Sequence, residues 1–464
     1  MSGRRIASRA LAGLAILLLG CASLRERQAF DQLAATEKAP HVSGTQAYTR
    51  DDLPELNDAS TLSDYLLYAA LNNPGLEAAF NRWKAALEKI PQVRALPDPK
   101  LTYGYFIREV ETRVGPQRQK IGVSQMFPWF GKLKLRGDVA LEAANAERQR
   151  YETAKIKLFH EVKDAYYEYY YLGRAIAVTE ENLRLLRSLE SVAQAMYAAG
   201  RASHADTIRA QVEIGKIEDS LRGLRDLREP IVAKLNAALN RPPDAPLPWP
   251  KEIPEEPVEQ SDAQILAWLK AENPELKAID FMAAKEQAAV KLAKKNYYPD
   301  IALGLDFVDT DEAAMAGTKD SGKDPVVAVL SIDLPLWYAK YRAGVREAEA
   351  RYETALKERS EKENDLTATL KLTLYKLRDA ERRIDLYRNT LLPLAKESLR
   401  VTQKAFETEA ADFLDLIDAE RILLEFSLAL ERARADRCQR LAEIEMLVGK
   451  EIPRATAGPA ASKP

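Results

Sequence analysis

Histidine and cysteine are nearly missing from this chain of 464 residues, which holds three of the first and two of the second. His41, His160 and His204 lie far apart, as do Cys21 and Cys438. No metal-ligand spacing can be read from them, and neither a metal nor a cofactor site is expected. An excess of charge is missing too. Basic and acidic residues number 68 and 70, which leaves no broad positive field for a nucleic-acid backbone. There is no convergent set of nucleophile, base and metal ligand, so an enzyme is disfavoured. Proline is absent between Pro128 and Pro230, and glycine is sparse there, so little interrupts a helix. A helix from about Lys132 to Ala199 would run on the order of 100 Å at 1.5 Å per residue. No compact globular domain needs that length.

What is present begins at the N-terminus. Arg4, Arg5 and Arg9 form a basic flank, and Leu11 to Leu19 an apolar core too short to cross a bilayer. Residues 1–20 therefore read as a secretory signal. It ends Leu18-Leu19-Gly20-Cys21, which resembles the lipobox of bacterial lipoproteins and implies acylation of Cys21. Cys438 would then be the only thiol left, as a small packed residue. Residues 21–60 read as an N-terminal linker.

A tandem repeat organises the rest. Asn73-Pro74-Gly75-Leu76 recurs as Asn273-Pro274-Glu275-Leu276, and Pro97-Asp98 as Pro299-Asp300. Ser124 to Pro128 recurs as Ser331 to Pro335, and Tyr197 to Ser203 as Phe406 to Asp412. The offset grows from 200 to 209, as small loop insertions would make it. Repeat 1 spans 61–240 and repeat 2 spans 261–450, with a Pro-rich linker at 241–260 and a disordered tail at 451–464. Each repeat has one internal order: a helix (about 74–96 and 274–297), two strands, then a long antiparallel helical hairpin. The strands fall at about 100–112, 117–128, 300–311 and 324–335, and the hairpins at about 132–240 and 340–449.

The hairpins carry a coiled-coil rhythm. Leu366, Leu370, Thr373, Leu377, Ala380, Ile384, Tyr387, Leu391 and Leu394 alternate spacings of four and three. Leu172, Ile176, Thr179, Leu183 and Leu186 keep the same seam in the first copy. The strands alternate instead, with Leu101, Tyr103, Tyr105 and Ile107 facing one way and Thr102, Gly104 and Arg108 the other. Such a period of two fits a membrane barrel and an ordinary sandwich alike. Aromatic residues gather where the strands meet the helices: Phe127, Trp129, Phe130, Tyr297, Tyr298, Trp337 and Tyr338. That is where an aromatic belt at a membrane surface would lie, with core packing as the other reading. Four strands cannot close a barrel in lipid, but three copies give twelve.

The lipobox, the duplicated helix–strand–strand–hairpin unit and the hairpin turns together resemble the TolC-like outer-membrane efflux proteins, over about Leu62 to Gly449. Gln125-Met-Phe-Pro-Trp-Phe-Gly-Lys132, with Asn73-Pro74, is similar to the heavy-metal exporter branch of that family. The resemblance implies a mainly α protein with a membrane β-barrel, built as a homotrimer with a twelve-stranded barrel and an α-helical periplasmic barrel. It implies an exit duct in the outer membrane that carries small molecules or metal ions and docks to a periplasmic adaptor and an inner-membrane pump of the RND type. The family's entrance carries an aspartate ring, matched here by Asp415-Leu416-Ile417-Asp418 with Asp412 just before it. These carboxylates read equally as a solvated acidic face near a helix N-terminus. A type I secretion duct and a periplasmic adaptor lipoprotein are the alternatives; the adaptor would carry one hairpin, not two in tandem.

Overall fold

The computed structural model describes residues 23–38 and 53–454. The signal segment, Cys21 and residues 455–464 of the tail lie outside the described residues. In chain order the elements are α1 (Leu24–Lys38), α2 (Leu62–Asn72), α3 (Pro74–Arg94), β1 (Lys100–Val110) and β2 (Gln117–Phe127). There follow α4 (Lys132–Ala198), α5 (His204–Asp226), α6 (Arg228–Leu239), α7 (Asp262–Glu272), α8 (Pro274–Lys295), β3 (Ile301–Thr310) and β4 (Val326–Ile332). The chain ends in α9 (Tyr338–Leu386), a π-helical turn (Tyr387–Leu391), α10 (Leu392–Glu407) and α11 (Phe413–Val448).

The described chain divides into two units. The first holds residues 23–34, 81–149 and 277–360, and its centre is an antiparallel sheet in the order β1-β2-β3-β4. Two hairpins from different repeats join at β2 and β3 over ten paired positions, from Gln117↔Thr310 to Phe127↔Ile301. The segment expected to be a linker contains α1 in this unit. Its Glu26 is 2% exposed and pairs with Arg94 of α3, while Arg25 reaches Glu142 of α4 at 2.5 Å. Ala29 and Leu33 of α1 are buried beside Glu26, so a narrow apolar stripe and these charge pairs hold the helix together.

The second unit holds 35–38, 53–80, 150–276 and 361–454. The recurring Asn-Pro-x-Leu motif does one job in both copies. Asn73 accepts from Leu76 N at 3.0 Å through Oδ1 and donates to Ala238 O at 3.0 Å. Asn273 accepts from Leu276 N at 2.9 Å and donates to Leu447 O at 2.7 Å. Each asparagine thus starts one helix and ties down the end of the returning hairpin arm, while the proline tolerates the first helical turn. A short helix, α2 or α7, precedes each motif, ahead of the helix with which the internal order of each repeat opens.

The seam of the second hairpin follows its heptads as far as Ala380, with Leu370 and Leu377 fully buried. It then shifts. Leu394, expected in the seam, is 63% exposed, and Ala395 is 4% exposed in its place. The cause is the π turn at Tyr387–Leu391 just before Pro393. Proline offers no N–H to the carbonyl four residues back, and the wider turn takes up one extra residue. Beyond it the seam resumes at Leu399 and Phe406 within a cluster that includes Leu186, Leu189, Phe413, Leu416 and Ile417. In the first copy Pro230 has the matching effect, and the returning arm breaks at Leu227 between α5 and α6.

The Pro-rich linker is pinned inside this unit. The Trp249 ring stacks on Tyr169 at 4.4 Å with the Arg228 guanidinium 4.8 Å from it. Six residues on, Glu255 pairs with Arg388 at 3.1 Å and Arg434 at 2.5 Å.

Candidate functional site

The sheet has two unlike faces, because cross-strand partners point the same way. On one face the rows read Tyr103–Ile121–Phe307–Val326 and Leu101–Val123–Leu305–Ala328. Almost all of these side chains are exposed, Leu101 at 74% and Leu305 at 60%. On the other face stand Thr102, Gly122 and Asp306, with Gly104 and Lys120 in the next row. Lys120 reaches Asp306 at 2.5 Å. Gly122 makes that possible, since a Cβ there would come within 2.1 Å of Asp306 Oδ1. The outer edges of β1 and β4 have no strand beside them among the described residues. A soluble protein blunts such edges and covers such a face. This sheet does neither.

Where the sheet meets the helices, the aromatic residues form two groups. Trp129 stacks on Tyr298 at 5.5 Å and meets Phe130 edge-on at 5.8 Å. Tyr297 stacks on Tyr338 at 6.2 Å. Phe127, Phe130, Trp337 and Tyr338 are exposed, Phe130 at 83% and Trp337 at 75%, while Trp129 and Tyr297 are half-buried. Lys295 lies over the Tyr298 ring at 5.1 Å, an amphipathic pairing suited to a wet–apolar boundary.

Beneath them is a pair that sequence reasoning missed. Lys132 is 4% exposed; its Nζ donates to Asp300 Oδ1 at 2.8 Å and to Tyr298 O at 2.9 Å. The same Asp300 oxygen accepts from Trp129 N at 2.7 Å. One ion pair therefore fixes the start of α4 against the start of β3. The signal was the repeated Pro-Asp, but its partner Lys132 is not repeated, so the pair could not be read across copies.

The second candidate region is the pair of hairpin turns. Gly200 and Glu409 occupy equivalent positions with φ of 74° and 60°. Glycine takes that conformation freely and glutamate at a cost of about 1 kcal/mol. The Glu409 carboxylate accepts from Arg201 of the other turn at 2.5 Å. Beyond each turn the helix opens with a capping box, Ser203 with Asp206 and Asp412 with Asp415. Asp412 is thus the N-cap, outside α11, and Asp415 accepts from its backbone N–H at 3.2 Å. Asp418 pairs with Arg421 at 3.1 Å, and Arg421 also holds Glu213 of α5 at 2.5 Å. The Arg421 hydrogen bond keeps the Glu213 carboxyl below its usual pKa, against the effect of burial. In the first copy Arg209 takes the place of Asp418 and turns back to Asp206 at 3.2 Å. All three aspartates are exposed on one side of the turn, and Phe413, Leu416 and Ile417 are buried on the other.

Among the described residues there is no group of three or more metal-ligating side chains, and no helix is long and apolar enough to cross a membrane. The family model described as outer membrane efflux protein matches residues 66–241 and 266–450, the two repeats. The cobalt-zinc-cadmium resistance protein CzcC of Cupriavidus metallidurans is 21% identical over 84% of this chain and 90% of its own length. Among solved structures, the outer membrane protein VceC of Vibrio cholerae superposes with a TM-score of 0.69 at 18% identity, covering 84% of this chain and 97% of VceC. CusC superposes with a TM-score of 0.71 at 16% identity, over 89% and 97% of the two chains.

Proposed function

Because this chain belongs to the outer membrane efflux protein family, we propose that three copies close one barrel and one helical tunnel, forming the exit duct of a tripartite pump. The chain is an outer-membrane efflux channel subunit, not an enzyme; its assembly and partners are the proposal. One observation carries it: a four-stranded sheet with an exposed apolar face and two open edges. Lipid tolerates no open edge, since unpaired backbone groups there cost several kcal/mol each. Pairing β1 of one copy with β4 of the next removes both edges, keeps the antiparallel alternation across each seam and yields twelve strands. The Leu101–Leu305 face then meets lipid, and the Thr102–Asp306 face lines the lumen. The junction aromatics lie at the periplasmic boundary of the membrane.

Cys21 adds a lipid anchor, which supplements the barrel and does not replace it. Fatty-acid labelling of the wild type should be lost in Cys21→Ser, and label retained by the variant would refute the anchor. The far end of the duct meets a periplasmic adaptor, and through it an inner-membrane pump of the RND type. CzcC, by its name a cobalt-zinc-cadmium resistance protein, makes metal ions one cargo class; small organic molecules are the other.

Asp415 and Asp418 of three copies then ring the entrance and attract cations. Purified protein in planar bilayers should conduct with a preference for cations. The double variant Asp415→Asn/Asp418→Asn should lose that preference and weaken block by a trivalent cation by about tenfold or more. Asparagine is the right replacement because Asp415 also closes the capping box, which an amide still serves. Unchanged selectivity and block would return both residues to a solvated helix face.

A further inference from the structure

Two turns into α11, on the side opposite the aspartates, lies a carboxyl that the duct reading does not use. Glu420 is 1% exposed. Its Oε1 has no hydrogen-bond partner among the described residues, and neither does the Oδ1 of Asn182, also buried. The charged and polar groups acting on it come from three helices: the Asn182 amide of α4, which donates to it, Glu213 of α5, and Arg421 of α11 itself. Arg421 is already engaged, at 2.5 Å from Glu213 and 3.1 Å from Asp418. A neutral Glu420 fits this site. An ionised one would be a buried anion beside a second carboxylate, with its only nearby cation committed elsewhere.

We propose that Glu420 is a protonation switch for the entrance, resting on the duct reading above. While it holds its proton, α11 packs against α4 and α5, and Arg421 stays on Glu213 and Asp418. When the proton leaves to water, the new carboxylate draws Arg421 from both partners or moves outward to be hydrated. Either response loosens the first turns of α11 and uncovers the charge of Asp418. The entrance opens and becomes more attractive to cations as pH rises.

The direction of the titration agrees with this geometry. Burial raises the Glu420 carboxyl from 4.5 to about 7, and Glu213 adds to the rise. Folded-state packing that needs the proton is fully present below about pH 4.5 and is lost as pH rises through about 7. For a single group with that midpoint, the ionised fraction goes from about 3% at pH 5.5 to about 97% at pH 8.5.

The test is single-channel recording of the full-length protein in planar bilayers at pH 5.5, 7 and 8.5. The wild type should rise several-fold in open probability with a midpoint near 7. Glu420→Gln, which keeps the acceptor for Asn182, should stay at the acid level throughout. Glu213→Gln should move the midpoint down by about one unit, because it removes a like charge and frees Arg421. That variant also reports the switch should Glu420→Gln fail to assemble. A wild-type profile flat across this range, or one unchanged in Glu420→Gln, would overturn the switch while leaving the duct intact. A wild type that forms no channel at any pH would overturn both.

Discussion

Replacing Leu305 by arginine should abolish the stable trimer. Leu305 is in the middle of its strand, on the apolar face, in the row Leu101–Val123–Leu305–Ala328. An arginine facing lipid near the midplane costs about 2–4 kcal/mol, and the assembly carries it three times. That sum is comparable to the whole stability of a typical domain. The control is Thr102→Arg, one residue along from Leu101 on the opposite face, where the side chain would project into water. It should assemble at nearly wild-type yield. Heat-modifiable mobility in mild detergent separates the two outcomes. A tolerated Leu305→Arg beside a damaging Thr102→Arg would mean that the faces are assigned the wrong way round.

The second large effect is expected where the sheet meets the start of α4. Asp300→Ala leaves the Lys132 ammonium, 5% exposed at its side chain, with only the Tyr298 carbonyl, and leaves the Trp129 N–H without its acceptor. Breaking a buried ion pair on one side costs about 3–5 kcal/mol, chiefly through the stranded charge. The trimer should therefore melt far below the wild type. Lys132→Met should be milder, since Asp300 is 22% exposed and keeps its bond from Trp129. The double variant Lys132→Met/Asp300→Leu should recover much of the loss, because neither charge remains buried. Equal melting temperatures for wild type and Asp300→Ala would remove this pair from the account.

The duplicated unit, its strand pairs and its hairpins were legible because period and punctuation agree in both copies. Alternation at Leu101 to Ile107 and again at Ile301 to Phe307 needs no tertiary information, and neither does the proline-free run after Pro128. What stayed hidden depends on contacts between distant segments. Leu394 obeys the heptad in sequence, and only the π turn before Pro393 moves it out of the seam. Glu26 is an ordinary charged residue until Arg94 stands beside it. The role of Asn73 and Asn273 is legible as a helix start, but not as a tie to Ala238 and Leu447. At the second turn, Asp415 belongs to the family's aspartate pattern and to the capping box at once, and sequence does not separate two roles that use one residue. Glu420 is one more acidic residue of a charged helix in the sequence. Burial gives it meaning.

The central claim is that this sheet exists to be closed by its own copies. Cysteines placed on the outer edges of β1 and β4, in a small set of pairs on one face such as Thr102 with Val327 or Val329, with Cys438→Ala to remove the native thiol, put that claim to one measurement. Oxidation in the outer membrane should yield covalent trimers, with dimers as the only intermediate, and the detergent-solubilised particle should have three times the protomer mass. A monodisperse monomer that resists cross-linking would contradict it.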